Sequence, residues 1–301
     1  MAEACRDLLN AVLTEAGLMH TSDATQTLPK LHRSKSIIDL GFGCGDQTIY
    51  LMSDSPVRPC DQAWWDNRDG RPRFDKYIGI TKDPTQHQYA TERVQELTSI
   101  KARQASVPSN FSNSEPKITL FCADAAAPHA WTQDLRSTMT SAHETSDEHW
   151  VLALDTAYHF APSRWPLIQH AFTTLDASFM AFDLCLSPRA TWAQKLALRV
   201  LTTLMGAPWA NFVTPDEYRQ RLVEIGYADA AVCMRDVSEC VFAPLAGYMG
   251  EQDRRLKALG LGIGSFKVAR WMFAWWGRTG VVRGVVVVAR KSDLGSSEGR
   301  I

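Results

Sequence analysis

The sequence contains no apolar run near the ~20 residues that a membrane-spanning helix needs, although 45% of its 301 residues are apolar. It has no C-x-x-C pair, and its cysteines number seven. An odd count without paired spacing argues against a disulfide framework and against a zinc site. Several of these cysteines sit in apolar runs, where a free thiol packs as a small hydrophobe and a reducing compartment keeps it free. Net charge is only −1, so no overall field draws in nucleic acid or an anionic membrane. The most basic short stretch, Arg254, Arg255 and Lys257, reads as a solvated helix face. His20, His32, His87, His129, His143, His149 and His170 are scattered without metal-ligand spacing. There is no phosphate-binding P-loop, no G-x-S-x-G elbow and no internal repeat. The first residues carry acids early and lack the apolar core of a secretory signal. The expectation is a soluble, cytoplasmic protein without stable membrane insertion.

Strand and helix signals alternate along the first 183 residues. Leu8, Leu9, Val12, Leu13 and Ala16 recur at helical spacing over 3–18. After a polar stretch at 20–35, the short apolar run 36–40 stops at glycines, as a buried parallel strand does. A helix begins near 47, and the Pro/Asp/Arg-rich stretch 54–75 reads as an inserted loop. Further strands are predicted at 77–81, 118–122, 150–154 and 178–183. A helix is expected to run to about 103, with a Ser/Asn/Pro-rich linker at 104–116 and a polar loop at 137–148. Such alternation predicts a doubly wound, mostly parallel α/β sheet.

Beyond 188 the pattern changes. Ala193, Leu196, Ala197, Val200, Leu201 and Leu204 mark an amphipathic helix. Thr214, Pro215, Asp216 and Glu217 begin another, which Gly226 ends. Late β-like runs occupy 230–234 and 281–289. The prediction is one domain over 1–301 with seven strands, the last antiparallel near 281–290. It has an N-terminal helical segment at 1–35, a ligand-binding core at 36–187 and helical cap insertions at 188–213 and 243–277. Trp192, Trp209, Trp271, Trp275 and Trp276 are expected to be mostly core, with some left to wall an apolar pocket.

The strongest chemical signal lies at 37–45. An apolar strand carries the acid Asp39 near its end, followed by Gly41, Phe42, Gly43, Cys44 and Gly45. Glycines let backbone turn sharply and approach a ligand closely, and α/β sheets bind ligands beyond the carboxyl ends of their strands. A dinucleotide site spaces its glycines G-x-G-x-x-G around a pyrophosphate. Here the last interval is one residue shorter, and Asp39 would repel a pyrophosphate but suit the cationic groups of S-adenosylmethionine. The segment resembles motif I of the class I methyltransferases.

That resemblance extends through 36–185 and implies roles for further positions. Thr81 and Gln86 keep the spacing of the G-[IVL]-T-L-S-x-x-Q form of tocopherol methyltransferases and cyclopropane fatty acid synthases, whose Thr and Gln contact the adenosine. Asp124 and Ala125 resemble the third-strand motif that binds adenine, with Ala123 in place of the usual glycine. Asp155, Tyr158, His159 and Phe160 resemble the fourth-strand segment of small-molecule methyltransferases, including the sterol-like group, where the reacting centre sits. An imidazole at His159 can take a proton at neutral pH, and Tyr158 could orient a substrate. Asp183 reads as structural. The resemblance implies S-adenosylmethionine as cofactor, no metal, and methyl transfer to an O, N or C atom of a small, largely apolar metabolite. A nucleic-acid or protein substrate fits poorly, because Asp155-Thr-Ala-Tyr is not the base-methylating signature and no basic stripe exists. A non-methylating rearrangement or cyclisation enzyme, or a binding partner on the same fold, stays open. So do the substrate and the oligomeric state.

Overall fold

A computed structural model describes residues 2–19, 33–52, 72, 74–104 and 117–291. The polar stretch 20–32, most of the predicted inserted loop 54–75, the linker 105–116, and Cys60, His20 and His32 with them, lie outside the described residues.

Seven strands form one sheet: β1 Lys35–Leu40, β2 Lys76–Thr81, β3 Lys117–Cys122, β4 Glu148–Leu154, β5 Ser178–Leu186, β6 Val232–Asp236 and β7 Val282–Ala289. Their order is β3-β2-β1-β4-β5-β7-β6. The first five pair in parallel, and β7 runs antiparallel between β5 and β6. This is the predicted sheet, including the reversed last strand. β7 is buried along almost its whole length because both of its faces are covered; its Val285–Val288 run is what a two-sided strand requires.

Alternation along the strands sorts side chains onto two apolar faces. Ile38, Leu40, Val151, Ala153, Phe179 and Ala181 point to one cluster, and Ile37, Trp150, Leu152, Met180, Phe182 and Leu184 to the other. The first face is covered by α4 (Gln133–Thr145), α5 (Trp165–Thr173) and α7 (Pro215–Ile225). The second receives α1 (Ala2–Glu15), α2 (Asp46–Met52), α6 (Trp192–Leu204), α8 (Ser238–Lys257) and α9 (Phe266–Thr279). The long α3 (Pro84–Gln104) packs against β2 and β3. α7 has the predicted start and stop: the Thr214 hydroxyl accepts from Glu217 N–H, Glu217 returns a bond to Thr214 N–H, and Gly226 caps the end.

Two expectations need correction. The polar stretch 137–148 is not a loop. It lies largely in α4, which is capped by Thr132 and buries Leu135, Met139 and Ala142 at helical spacing, so its many Ser, Thr and Asp residues are simply the wet side. α6 exists where its periodicity places it, but the apolar stripe faces outward. Leu198 and Thr202 are buried, while Leu196, Val200 and Leu204 are exposed. Of the tryptophans, Trp276 lies in the second cluster and the half-buried Trp209 and Trp275 pack against it, while Trp192 and Trp271 are exposed.

Candidate functional site

The carboxyl ends of β1 to β4 lie side by side, and the strand order reverses between β1 and β4, which opens a crevice there. The loops leaving those ends are locked onto neighbouring strands. Gly41 N–H donates to Ile80 O at 2.7 Å, Ala123 N–H to Thr81 O at 2.9 Å, and Asp155 N–H to Phe182 O at 3.2 Å.

The three glycines meet different surroundings. At Gly41, a Cβ would lie 2.6 Å from the Thr156 hydroxyl, so the β1 and β4 loops can touch only because that side chain is absent. Gly43 has φ +62°, and a Cβ there would meet nothing within 4 Å. It borders open space. Gly45 N–H bonds Phe42 O at 3.2 Å, and its carbonyl accepts from Ile49 N–H at 3.0 Å, which begins α2. Phe42 turns its ring into the core over Gly79, so only its backbone belongs to the loop. From α3, Arg93 clasps the loop by donating to Cys44 O at 2.6 Å and pairing with Asp46 at 2.9 Å.

Asp39 is fully buried. Gln47 Nε2 donates to both carboxylate oxygens at 2.6 Å, and Tyr77 donates its hydroxyl to Oδ2. In this geometry Asp39 has no surface with which to touch a ligand; it ties β1 to α2 and β2. Burial pushes its carboxyl up to about 6, against the pull of the Tyr77 and Gln47 bonds. An unfolded aspartate titrates near 3.8. The stabilising effect of this group is therefore full below pH 3.8 and lost as pH rises through 6. The loss is on the order of 3 kcal/mol. Urea unfolding of Asp39→Asn between pH 4 and pH 7 should show a flatter stability profile than the natural chain. An unchanged slope would place the titration elsewhere.

Thr81 and Gln86 are brought together: the Thr81 hydroxyl donates to Gln86 Oε1 at 3.2 Å. Asp83 caps α3 beside them, accepting from Thr85 N–H at 2.8 Å and Gln86 N–H at 3.2 Å. Asp124 stands at the next strand end and is already engaged. Lys82 pairs with its Oδ2 at 2.7 Å, and Ala126 N–H donates to Oδ1 at 2.9 Å. Ala125 beside it is buried.

Asp155 has φ +57° and accepts from the Tyr158 hydroxyl at 2.9 Å. It is open to solvent yet ringed by protein, as a group in a recess is. Burial raises its carboxyl to about 6, with Tyr158 opposing and the charge of Asp183 adding to the rise. Tyr158 and His159 lie with ring centres 4.2 Å apart on a short 3₁₀ turn. Burial lowers the His159 imidazole, with Asp183 opposing. Cys5 of α1 is near enough that the Asp155 and Asp46 charges add to the rise that burial gives its thiol. This places α1 beside the crevice.

Two residues that sequence reasoning missed hold the Tyr158–His159 turn. Asn211 Nδ2 donates to Tyr158 O at 3.0 Å and Phe160 O at 2.9 Å. Arg164 N–H donates to Asn211 Oδ1 at 2.9 Å, while its fully buried guanidinium bonds Asn211 O and pairs with Asp183. Tyr218 completes the cluster, donating to Asp183 Oδ2 at 3.0 Å. Asp183 is thus buried in an internal ion pair. Elsewhere, His129, His143 and His170 line a separate cavity of about 510 Å³ with Trp131 and Arg136. No group of three His, Cys, Asp or Glu able to hold a metal occurs among the described residues.

No protein-family model and no curated protein matches the sequence. Solved structures do match the fold. A phosphoethanolamine N-methyltransferase from Haemonchus contortus, solved with phosphomonomethylethanolamine and S-adenosylhomocysteine, superposes with a TM-score of 0.57 at 10% identity. The match covers 96% of this chain and 53% of that one, so this chain spans about half its length. A putative sarcosine dimethylglycine methyltransferase from Galdieria sulphuraria gives 0.56 at 13% identity, covering 97% and 86% of the two chains. A cyclopropane synthase from Mycobacterium tuberculosis gives 0.53 at 13%, covering 94% and 84%. The fold is that of the class I methyltransferases.

Proposed function

We propose that the chain binds S-adenosylmethionine in the crevice between the β1 and β4 loops. We further propose that it moves the methyl group to an O, N or C atom of a small, largely apolar metabolite, natural-product-like or lipid-like. The observation that carries this reading is the open space over Gly43 at the strand-order reversal, with an accessible carboxylate, Asp155, at the end of the adjacent strand β4. A cationic ligand fits that setting, because it would favour the charged form of a carboxyl that burial has raised. When bound, the cofactor supplies an electrophilic methyl on a sulfonium centre.

The chain's part is to bind, align and manage a proton. Gly41, Gly43 and Gly45 let backbone approach the methionine end, with Asp39 fixing the loop from behind rather than touching the ligand. Thr81 and Gln86 offer a hydroxyl and an amide to the ribose. Asp124 and Ala125 face the adenine, with Lys82 exchanging its partner when the ligand enters. Tyr158 steadies Asp155 and borders the reacting centre, and His159 accepts the proton that an O–H or N–H nucleophile releases. Its lowered imidazole is unprotonated at neutral pH, the state that a base needs. Alignment supplies much of the rate in such a transfer.

The deciding experiment incubates the full chain with labelled S-adenosylmethionine and metabolites of its source organism. A product heavier by one methyl supports the reading. An altered product of unchanged mass would mean rearrangement chemistry, and no cofactor binding at high micromolar concentration would end the proposal. With a substrate in hand, His159→Ala should lower kcat by about a hundredfold and leave cofactor affinity unchanged. The acid limb of the natural enzyme's pH profile should lie below the usual imidazole range and vanish in the variant. Full activity in His159→Ala would remove it as the base.

A further inference from the structure

Thirteen large apolar side chains are exposed among the described residues, and eleven of them fall in just two stretches, 192–205 and 248–271. On α6, Trp192, Leu196, Val200 and Leu204 recur every fourth residue, so they form one stripe along the helix. They are between 55% and 79% exposed. The other stretch shows Leu259, Leu261, Phe266 and Trp271 in the loop after α8 and on α9. Both helices send their opposite sides, Leu198 from α6 and Met272 with Trp276 from α9, into the same apolar cluster on one face of the sheet. The exposed stripes are thus the outer surface of the helices that cover that face.

Within the two stretches the charges have one sign, and the acids that approach them come from neighbouring helices: Asp253 of α8, beside the loop before α9 and Lys267, and Glu217 of α7, near Lys195. Residues 189–206 contain Arg189, Lys195 and Arg199 and no acid, and residues 258–280 contain Lys267, Arg270 and Arg278 and no acid. All six are exposed. By contrast, the basic end of α8 is internally neutralised, Arg254 and Arg255 by Glu251 and Lys257 by Asp253. In a chain of net charge −1, this surface stands out as apolar and cationic together.

We propose that α6, α9 and the loop before α9 form a docking surface for an anionic lipid bilayer. Leu, Val, Phe and Trp side chains would sink to the acyl boundary while Lys and Arg meet the phosphates, as in helices that lie in a membrane interface. A second copy of the chain is the other occupant an apolar stripe suggests, but a symmetric dimer would press like charges together. No described helix is long and apolar enough to cross a membrane, so the attachment is peripheral and reversible. The surface is linked to the crevice through the chain. α6 follows β5 directly in the chain, and the same connection ends in Asn211, which holds the Tyr158–His159 turn.

The test uses the full chain and vesicles without any cofactor, so its outcome is independent of methyl transfer. We expect cosedimentation with vesicles of phosphatidylcholine containing about a third phosphatidylserine, and little with phosphatidylcholine alone. Raised salt should weaken it. Lys195→Glu with Arg199→Glu should lower binding by about tenfold or more, since each basic side chain near an anionic surface is worth roughly fivefold. Leu196→Glu with Trp271→Glu should lower it likewise. All four positions are exposed, so melting temperatures should hold, and a variant that does melt early is replaced by Val200→Ser with Phe266→Ser. Absence of binding to anionic vesicles, equal binding to neutral ones, or a dimer in sedimentation velocity that Leu196→Glu dissolves would each overturn the proposal.

Discussion

Gly43→Val is expected to weaken S-adenosylmethionine binding by at least about a hundredfold while leaving the chain folded. The side chain would point into the space above the loop, where no protein atom lies within 4 Å of the new Cβ, so the substitution builds bulk into the ligand's volume and not into the core. It also forces a β-branched residue to φ +62°, at a cost of about 1–2 kcal/mol, which should appear as a melting temperature lower by a few degrees. Two companions separate these effects. Gly43→Ala carries the backbone strain with little bulk and should fall between the natural chain and Gly43→Val in affinity. Gly41→Ala would drive a methyl group to 2.6 Å from the Thr156 hydroxyl and should lose stability and binding together. Titration calorimetry with S-adenosylmethionine and S-adenosylhomocysteine reads all three. Natural affinity in Gly43→Val would mean that the space over Gly43 is not where the cofactor binds.

Arg164→Met should destabilise the fold by about 3–5 kcal/mol. The guanidinium is wholly enclosed, paired with Asp183 and set over the Tyr218 ring at 4.9 Å. Methionine fills much of the same volume but leaves the Asp183 carboxylate buried without its counter-charge. Adding Asp183→Leu to Arg164→Met should recover part of the loss, because an apolar pair tolerates the interior better than half an ion pair. Denaturant unfolding of the single and double variants measures this directly. The same substitution should loosen the turn that carries Tyr158 and His159, since Arg164 and Asn211 hold it in concert. A loss below 1 kcal/mol in Arg164→Met would show that the pair contributes little net stability.

The sheet was legible in the sequence because parallel strands are buried on both sides and leave short unbroken apolar runs between glycine- and proline-rich turns. Thr81 and Gln86 are paired through the motif they resemble, and the strand end followed by a helix start does bring the two side chains together. Other features leave no local mark. The stretch holding α4 is polar in composition, and only its three buried side chains, Leu135, Met139 and Ala142, betray the helix. For α6, periodicity revealed that a stripe exists but not which side the core would claim, and Leu198 with Thr202 went inward. The burial of Asp39 depends on Tyr77, 38 residues away, and the burial of Arg164 on Asn211, 47 residues away. Partnerships at such separations are products of tertiary structure, and a single sequence does not display them.

β7 comes last of the seven strands in chain order but sits between β5 and β6 in the sheet. During synthesis, β5 can join β4 early, yet its other edge must wait, unpaired, for a strand roughly a hundred residues behind it to leave the ribosome. β6 waits too, with no neighbour until the same moment. Closure of the sheet therefore waits until β7 has been made, and the apolar β5 edge exposed until then is a natural client for a chaperone.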